Sequence, residues 1–239
     1  MSWVSPLISL AAVIVAIASI TIQNRNFKKQ RIPVVAPVIK NFKLELPELN
    51  LDWNKCKIDD YFSETTIPVY NFGGTPAFNL TYNFAFRNFD EIKRELSKLK
   101  IEGHEIGIYE DPEGIYTKDY RYHITVVGET FSHTLPLSTS QIKRRADVIP
   151  AEGSVEINLP SYYVFLINCL FRDILFRDIR NKVFVFPELE LTLTYNDINF
   201  KSFQTKYIIK VDEFRQLYLN YNDYSFDAKF SLIPESYNG

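Results

Sequence analysis

Residues 70–84 read "YNFGGTPAFNLTYNF". Gly73 and Gly74 sit just ahead of Pro76, and a long alternating run follows. In "AFNLTYNFAFRN", Phe78, Leu80, Tyr82, Phe84 and Phe86 fall on one face, and Asn79, Thr81, Asn83 and Ala85 on the other. A sustained period of two is the pattern of a half-buried strand. That strand decides how the glycines are read. A P-loop needs Gly-x-x-x-x-Gly-Lys followed by Ser or Thr, because the Lys reaches the phosphates and the hydroxyl holds magnesium. "GGTPAFNL" has neither the Lys nor the spacing. Gly-x-Gly-x-x-Gly is also missing, and a strand offers no helix N-terminus to a phosphate. The stretch therefore predicts a strand, a turn or bulge in which Gly73 and Gly74 admit positive φ, and a second strand.

The same pattern recurs along the chain. It has 239 residues, 46% of them apolar and 23% charged, enough to bury a core in one or two domains. Its 15 Tyr and 19 Phe favour strands. A net charge of −2 lacks the basic excess of a general nucleic-acid binder, so no nucleic acid is expected as a partner. Strands are predicted in "PVVAPVIKNFKLEL", "TTIPVYNFG", "HEIGIYE", "YRYHITVVGE", "GSVEINLP", on both sides of "YNDINFK", and in "DYSFDAKFSLIP". Eight or so short strands with turns between them suit a mainly β domain over residues 33–239, an immunoglobulin-like antiparallel β-sandwich. A closed barrel gives the same signal. Helical inserts are predicted near residues 90–100 and 161–182. In the second, Leu166, Ile167, Leu170, Phe171, Ile174 and Leu175 form an apolar stripe. Asn168, Arg172, Asp173, Arg177 and Arg180 form a polar side. Such a helix packs on its own sheet, with a membrane surface or another subunit as the alternative.

Residues 3–24 contain no charge. "VSPLISLAAVIVAIASITI", residues 4–22, has about the 20-residue length that crosses a bilayer core as a helix. Pro6 falls in the first turn and Trp3 at an interfacial position. Residues 1–24 are thus predicted to be a transmembrane helix, and residues 25–32 a basic juxtamembrane linker. Arg25, Lys28, Lys29, Arg31, Lys40 and Lys43 follow the span with no acid among them up to residue 43. That asymmetry predicts a single-pass protein of the inner cell membrane, amino end outside and domain cytoplasmic. Ala16-Ile17-Ala18 resembles a signal-peptide cleavage site, but no Lys or Arg precedes the apolar run and the run continues beyond it.

Few residues suggest chemistry. His104, His123 and His133 are widely spaced and form no His-Glu-x-x-His pair, although a site across strands with a carboxylate is geometrically conceivable. Glu110, Asp111 and Glu113 read as a solvated turn with Pro112 and Gly114. Lys143, Arg144 and Arg145 read as a charged loop. No Gly-x-Ser-x-Gly is present. Cys56 and Cys169 are too few and too far apart for a disulfide framework, and read as buried apolar fillers. No catalytic, cofactor-binding or metal-binding residue is assigned, and no cofactor is expected.

Asn71, Gly73, Pro76, Ala77 and Asn79 form Asn-x-Gly-x-x-Pro-Ala-x-Asn. This resembles a signature of a broad group of uncharacterised bacterial single-pass membrane proteins with a small β-rich domain. "YNDINFKSF", residues 195–203, resembles their Tyr-x-Asp-x-x-Gly-x-x-Tyr hairpin, with Phe200 where Gly is usual and Phe203 where Tyr is usual. The resemblance implies the same topology and β-rich fold and carries over no catalytic residue. The functional expectation is a membrane-anchored, non-enzymatic binding or assembly module, with the bilayer contacted through residues 4–22 and a protein partner or self-association through the domain. The alternative is an oligomerising effector that perturbs the bilayer, as in defence against phage, with Ala11, Ala12, Ala16, Ala18 and Ser19 allowing close helix packing.

Overall fold

The computed structural model describes residues 4–30, 32–46, 65–98, 104–111, 122–128, 132–137, 144–176, 184–220 and 223–235. Helix α1 covers Val4–Gln30. It runs through the basic stretch expected to be a linker, so residues 25–30 are helical. Its described side chains, residues 12–24 and Phe27, are all exposed. Among the described residues no helix is long and apolar enough to cross a membrane.

The rest is mainly β. Strands β1 (Val35–Pro37), β2 (Asn41–Leu46), β3 (Thr66–Asn71) and β4 (Ala77–Phe86) come first, followed by helix α2 (Phe89–Leu96). Next are β5 (His104–Glu110), β6 (Tyr122–Gly128), β7 (Ser132–Leu137), β8 (Arg144–Ile149) and β9 (Ser154–Asn158). Helix α3 (Ser161–Phe176) leads to β10 (Leu189–Asn196), β11 (Ser202–Asn220) and β12 (Asp223–Pro234). Three sheets result, in the orders β1-β3-β9, β2-β12-β11-β10-β4-β8 and β5-β6-β7. Every pairing is antiparallel.

Alternation builds the core. β10 buries every second residue, Leu189, Leu191, Leu193 and Tyr195. Val35, Ile67, Val69 and Ile157 of the first sheet join one hydrophobic cluster with Leu80, Phe84, Leu193, Ile209 and Phe226 of the second. β4 alternates only from Leu80 onward. Leu80 to Phe86 bury the expected face, but Phe78 is half-buried and Ala77 takes the buried place before it. The cause is a bulge: Thr194 pairs with Thr81 and Asn196 with Phe78, which leaves one extra residue on β4. Asn79, inside the bulge, has φ 53°. Asn is among the few non-glycine residues that tolerate this left-handed region.

Two expectations change. Arg144 and Arg145 lie in strand β8, opposite Tyr82 and Thr81, rather than in a loop. β8 is the end strand of its sheet, where charge is tolerated and guards an exposed edge. Lys143 lies outside the described residues. The polar side expected of α3 is also not solvated. Residues 162–174 are all buried, Asn168, Arg172 and Asp173 included. From residue 162 to residue 174 the helix is covered on every side. Phe171 meets Phe226, Phe186 and Phe214 at ring-centroid distances of 4.6, 5.1 and 5.4 Å. The Asn168 amide donates to the Val164 carbonyl at 2.9 Å. Arg177 and Arg180 lie outside the described residues.

Candidate functional site

The best-defined polar arrangement is built on Asn71, the last residue of β3. Its side chain is fully buried. Oδ1 accepts from Gly73 N–H at 3.0 Å and from Val34 N–H at 3.2 Å. Nδ2 donates to the Thr75 carbonyl at 2.7 Å and to the Pro150 carbonyl at 3.1 Å. Its backbone N–H donates to Gly153 O at 2.9 Å, and its carbonyl accepts from Glu152 N–H at 3.0 Å. One amide thus joins three segments: the chain arriving from α1, its own turn, and the β8–β9 connection. Only a side chain with both an acceptor and two donors can do this.

Gly73 completes the junction. A Cβ there would lie 2.3 Å from Ile32 O and 2.6 Å from Pro33 Cα. The glycine is needed for close approach of the arriving chain, not for the positive φ expected from its place in a turn. Phe72 N–H donates to Val34 O at 2.8 Å and continues the contact. The signature residues Asn71 and Gly73 therefore fix how α1 is joined to the domain.

The β10–β11 hairpin closes at this same end. Asn196 pairs with Phe78 at the start of β4, Phe78 pairs with Val148 near the end of β8, and the Tyr195 hydroxyl accepts from Val35 N–H at 3.4 Å. Asp197 is buried, and its Oδ1 accepts from Asn199 and Lys201 N–H at 2.8 and 2.9 Å. Phe200 N–H donates to Asp197 O at 3.0 Å. This tight turn forces φ 59° on Phe200. A left-handed conformation costs a bulky L-residue about 1–2 kcal/mol. Phe200 thus holds a backbone conformation that glycine adopts more readily, and its phenyl ring is 76% exposed.

The other residues singled out from sequence do not converge. His123 is buried in β6, opposite Tyr109 and Pro136, with its ring stacked on Tyr109 at 5.8 Å. His104 pairs with Gly128 and His133 with Val126. At about 3.3 Å per residue along β6, His123 is about 16 Å from the level of His104 and about 10 Å from that of His133. Among the described residues no group of His, Cys, Asp and Glu could hold a metal ion. Asp111 is buried and Glu110 exposed, while Glu113, Pro112 and Gly114 lie outside the described residues, as does Cys56. Cys169 is buried, and burial pushes its thiol well above the ordinary range, which suits the filler role. An open groove beside β2, β11 and β12 is lined by Phe42, Phe214 and the charged Glu213, Arg215, Asp227 and Lys229. It joins no nucleophile to a base.

No protein-family model, no curated protein and no solved structure matches this chain.

Proposed function

We propose that this chain is a single-pass membrane protein whose α1 holds a non-enzymatic binding or assembly domain at the cytoplasmic face. The observation that carries the reading is the character of α1. Its backbone helix is 27 residues long, about 40 Å at 1.5 Å per residue. Residues 4–22 carry no charge. Val13, Ile14, Val15, Ile17, Ile20 and Ile22 are each more than half exposed, and they point around the whole helix. A helix that is apolar on every side needs an apolar surrounding, and the domain does not cover these residues. A bilayer supplies that surrounding, and the basic residues after position 24 favour the cytoplasm for the domain.

The domain itself reads as an immunoglobulin-like sandwich. Strands β1-β3-β9 set against β8-β4-β10-β11 follow the succession of that fold, with α2 and β5–β7 inserted between β4 and β8 and α3 between β9 and β10. The topology and the Asn71 junction support kinship with the bacterial group that the signature resembles. Binding would run through strand edges such as that of β8, the end strand of its sheet, or through loops.

Alkaline carbonate extraction of membranes from cells expressing the chain tests the anchor. The protein stays with the membrane pellet; release to the supernatant refutes the reading. The effector alternative draws on one observation, the exposed small residues Ala12 and Ala16 one turn apart. Mass measurement in detergent separates the two: a monomer sustains the tether, and a defined oligomer dispersed by Ala12→Leu and Ala16→Leu favours the effector.

A further inference from the structure

We propose that Ile198 and Phe200 at the β10–β11 tip, together with Phe72 of the glycine turn, form a lipid-contacting surface that seats the domain on the bilayer beside α1. This deepens the tether reading and rests on it. Phe200, Phe72 and Ile198 are 76%, 61% and 50% exposed, the first two among the most exposed large apolar side chains of the domain. All three sit at the end where the chain arrives from α1: Phe72 is bonded to Val34, and Tyr195 beside the hairpin turn is bonded to Val35. Only Arg31 separates α1 from Ile32.

From Ile22, the last apolar residue of the uncharged run, the helix continues to Gln30, eight residues or about 12 Å. The hairpin tip extends about two residues, or about 7 Å, past the Asn196–Ser202 pair, at the sheet end where β4 starts. The chemistry fits lipid contact. An aromatic ring beside a lysine, Phe200 and exposed Lys201, suits the membrane interface. The one acid of the turn, Asp197, is buried and bonded to its own backbone. Phe200 holds a left-handed backbone, φ 59°, and its ring is directed outward. Val34 and Val148, at the same end of the domain, are also about half exposed, and the exposed acids nearby are Asp147 in β8 and Glu152 in the β8–β9 connection.

The test uses the full chain, with Trp3 and Trp53 changed to Phe, reconstituted into two sets of phosphatidylcholine vesicles, one with acyl chains brominated near the headgroups and one brominated near the chain ends. Single tryptophans are introduced as Phe200→Trp, Ile198→Trp, Val13→Trp and, on the exposed surface of β11, Asp212→Trp. The inference expects Phe200→Trp and Ile198→Trp to lose emission in the headgroup-brominated set relative to unbrominated vesicles, Val13→Trp to lose it in the chain-end-brominated set, and Asp212→Trp to keep it in both. Quenching at Val13→Trp with none at either tip position overturns the seating surface and leaves the tether intact. Quenching at the tip with none at Val13→Trp keeps the lipid contact and removes the span. No quenching at any of the three overturns both.

Discussion

Replacing Asn71 by Ala removes one buried amide and strands four backbone groups: the N–H of Val34 and Gly73 and the carbonyls of Thr75 and Pro150. Each bond contributes about 0.5–1.5 kcal/mol net, so the four together contribute about 2–6 kcal/mol. Several of these bonds are only part-buried, and water reaching them reduces the loss to about 3 kcal/mol. For a chain of this size that lowers Tm by about 6–12 °C. Urea and thermal unfolding of the full chain in mild detergent, followed by circular dichroism of the strands, reads the difference. Asn71→Asp sharpens the argument. It keeps the acceptor but faces the Thr75 and Pro150 carbonyls with an acid where Nδ2 donated. The buried charge is disfavoured, so the introduced carboxyl has a folded pKa above its unfolded value of about 3.9. Its stabilising proton is fully present below about pH 3.9, and stability falls as pH rises through the folded pKa. Asn71→Asp is therefore more stable relative to wild type in acid than at neutrality. A loss below about 1 kcal/mol for Asn71→Ala, or a pH dependence of the opposite sign, refutes the role of Asn71 as the junction.

Three further outcomes follow from single positions. Gly73→Ala drives a methyl against Ile32 O and Pro33 and destabilises by about 3 kcal/mol in the same assay; an unchanged midpoint would contradict the close approach. Phe200→Gly and Phe200→Ala both lose the ring, but only Ala keeps the left-handed strain, so the Gly variant unfolds at higher urea by about 1 kcal/mol. Equal midpoints would place Phe200 in an ordinary backbone region. Tyr163 has a fully buried hydroxyl with no hydrogen-bond partner among the described residues, and burial raises its pKa. Tyr163→Phe therefore stabilises by about 1 kcal/mol, and a loss of similar size would reveal a partner for that oxygen.

The strands legible in the sequence were those with strict alternation. β10 and the later part of β4 declare themselves because one face of each is buried and the other is not. β7 and β8 did not. "SHTLPL" contains Pro136 and β8 opens with two arginines, and both are end strands whose composition is set by an exposed edge rather than by a core. The bulge at Asn79 was hidden because it exists only against β10. α3 was legible as a helix with a polar side that packs on its own sheet; that Asn168, Arg172 and Asp173 of that side are buried as well is not visible in its pattern. The signature around Gly73 was visible as a motif, and its purpose was not. Gly73 and Thr75 are local partners of Asn71, but Val34 and Pro150 lie 37 and 79 residues away in sequence, beyond any local pattern. The left-handed backbone at Phe200 is likewise set by the turn around Asp197 and not by any local sequence pattern.

The tether with its cytoplasmic domain is tested most directly by accessibility across the membrane. Ser2→Cys and Asp212→Cys are introduced separately and treated with a membrane-impermeant maleimide, in intact cells and after permeabilisation, with the unsubstituted chain as the baseline. The account predicts labelling of Ser2→Cys in intact cells and of Asp212→Cys only after permeabilisation. Labelling of both positions in intact cells, or of neither until permeabilisation, would contradict it.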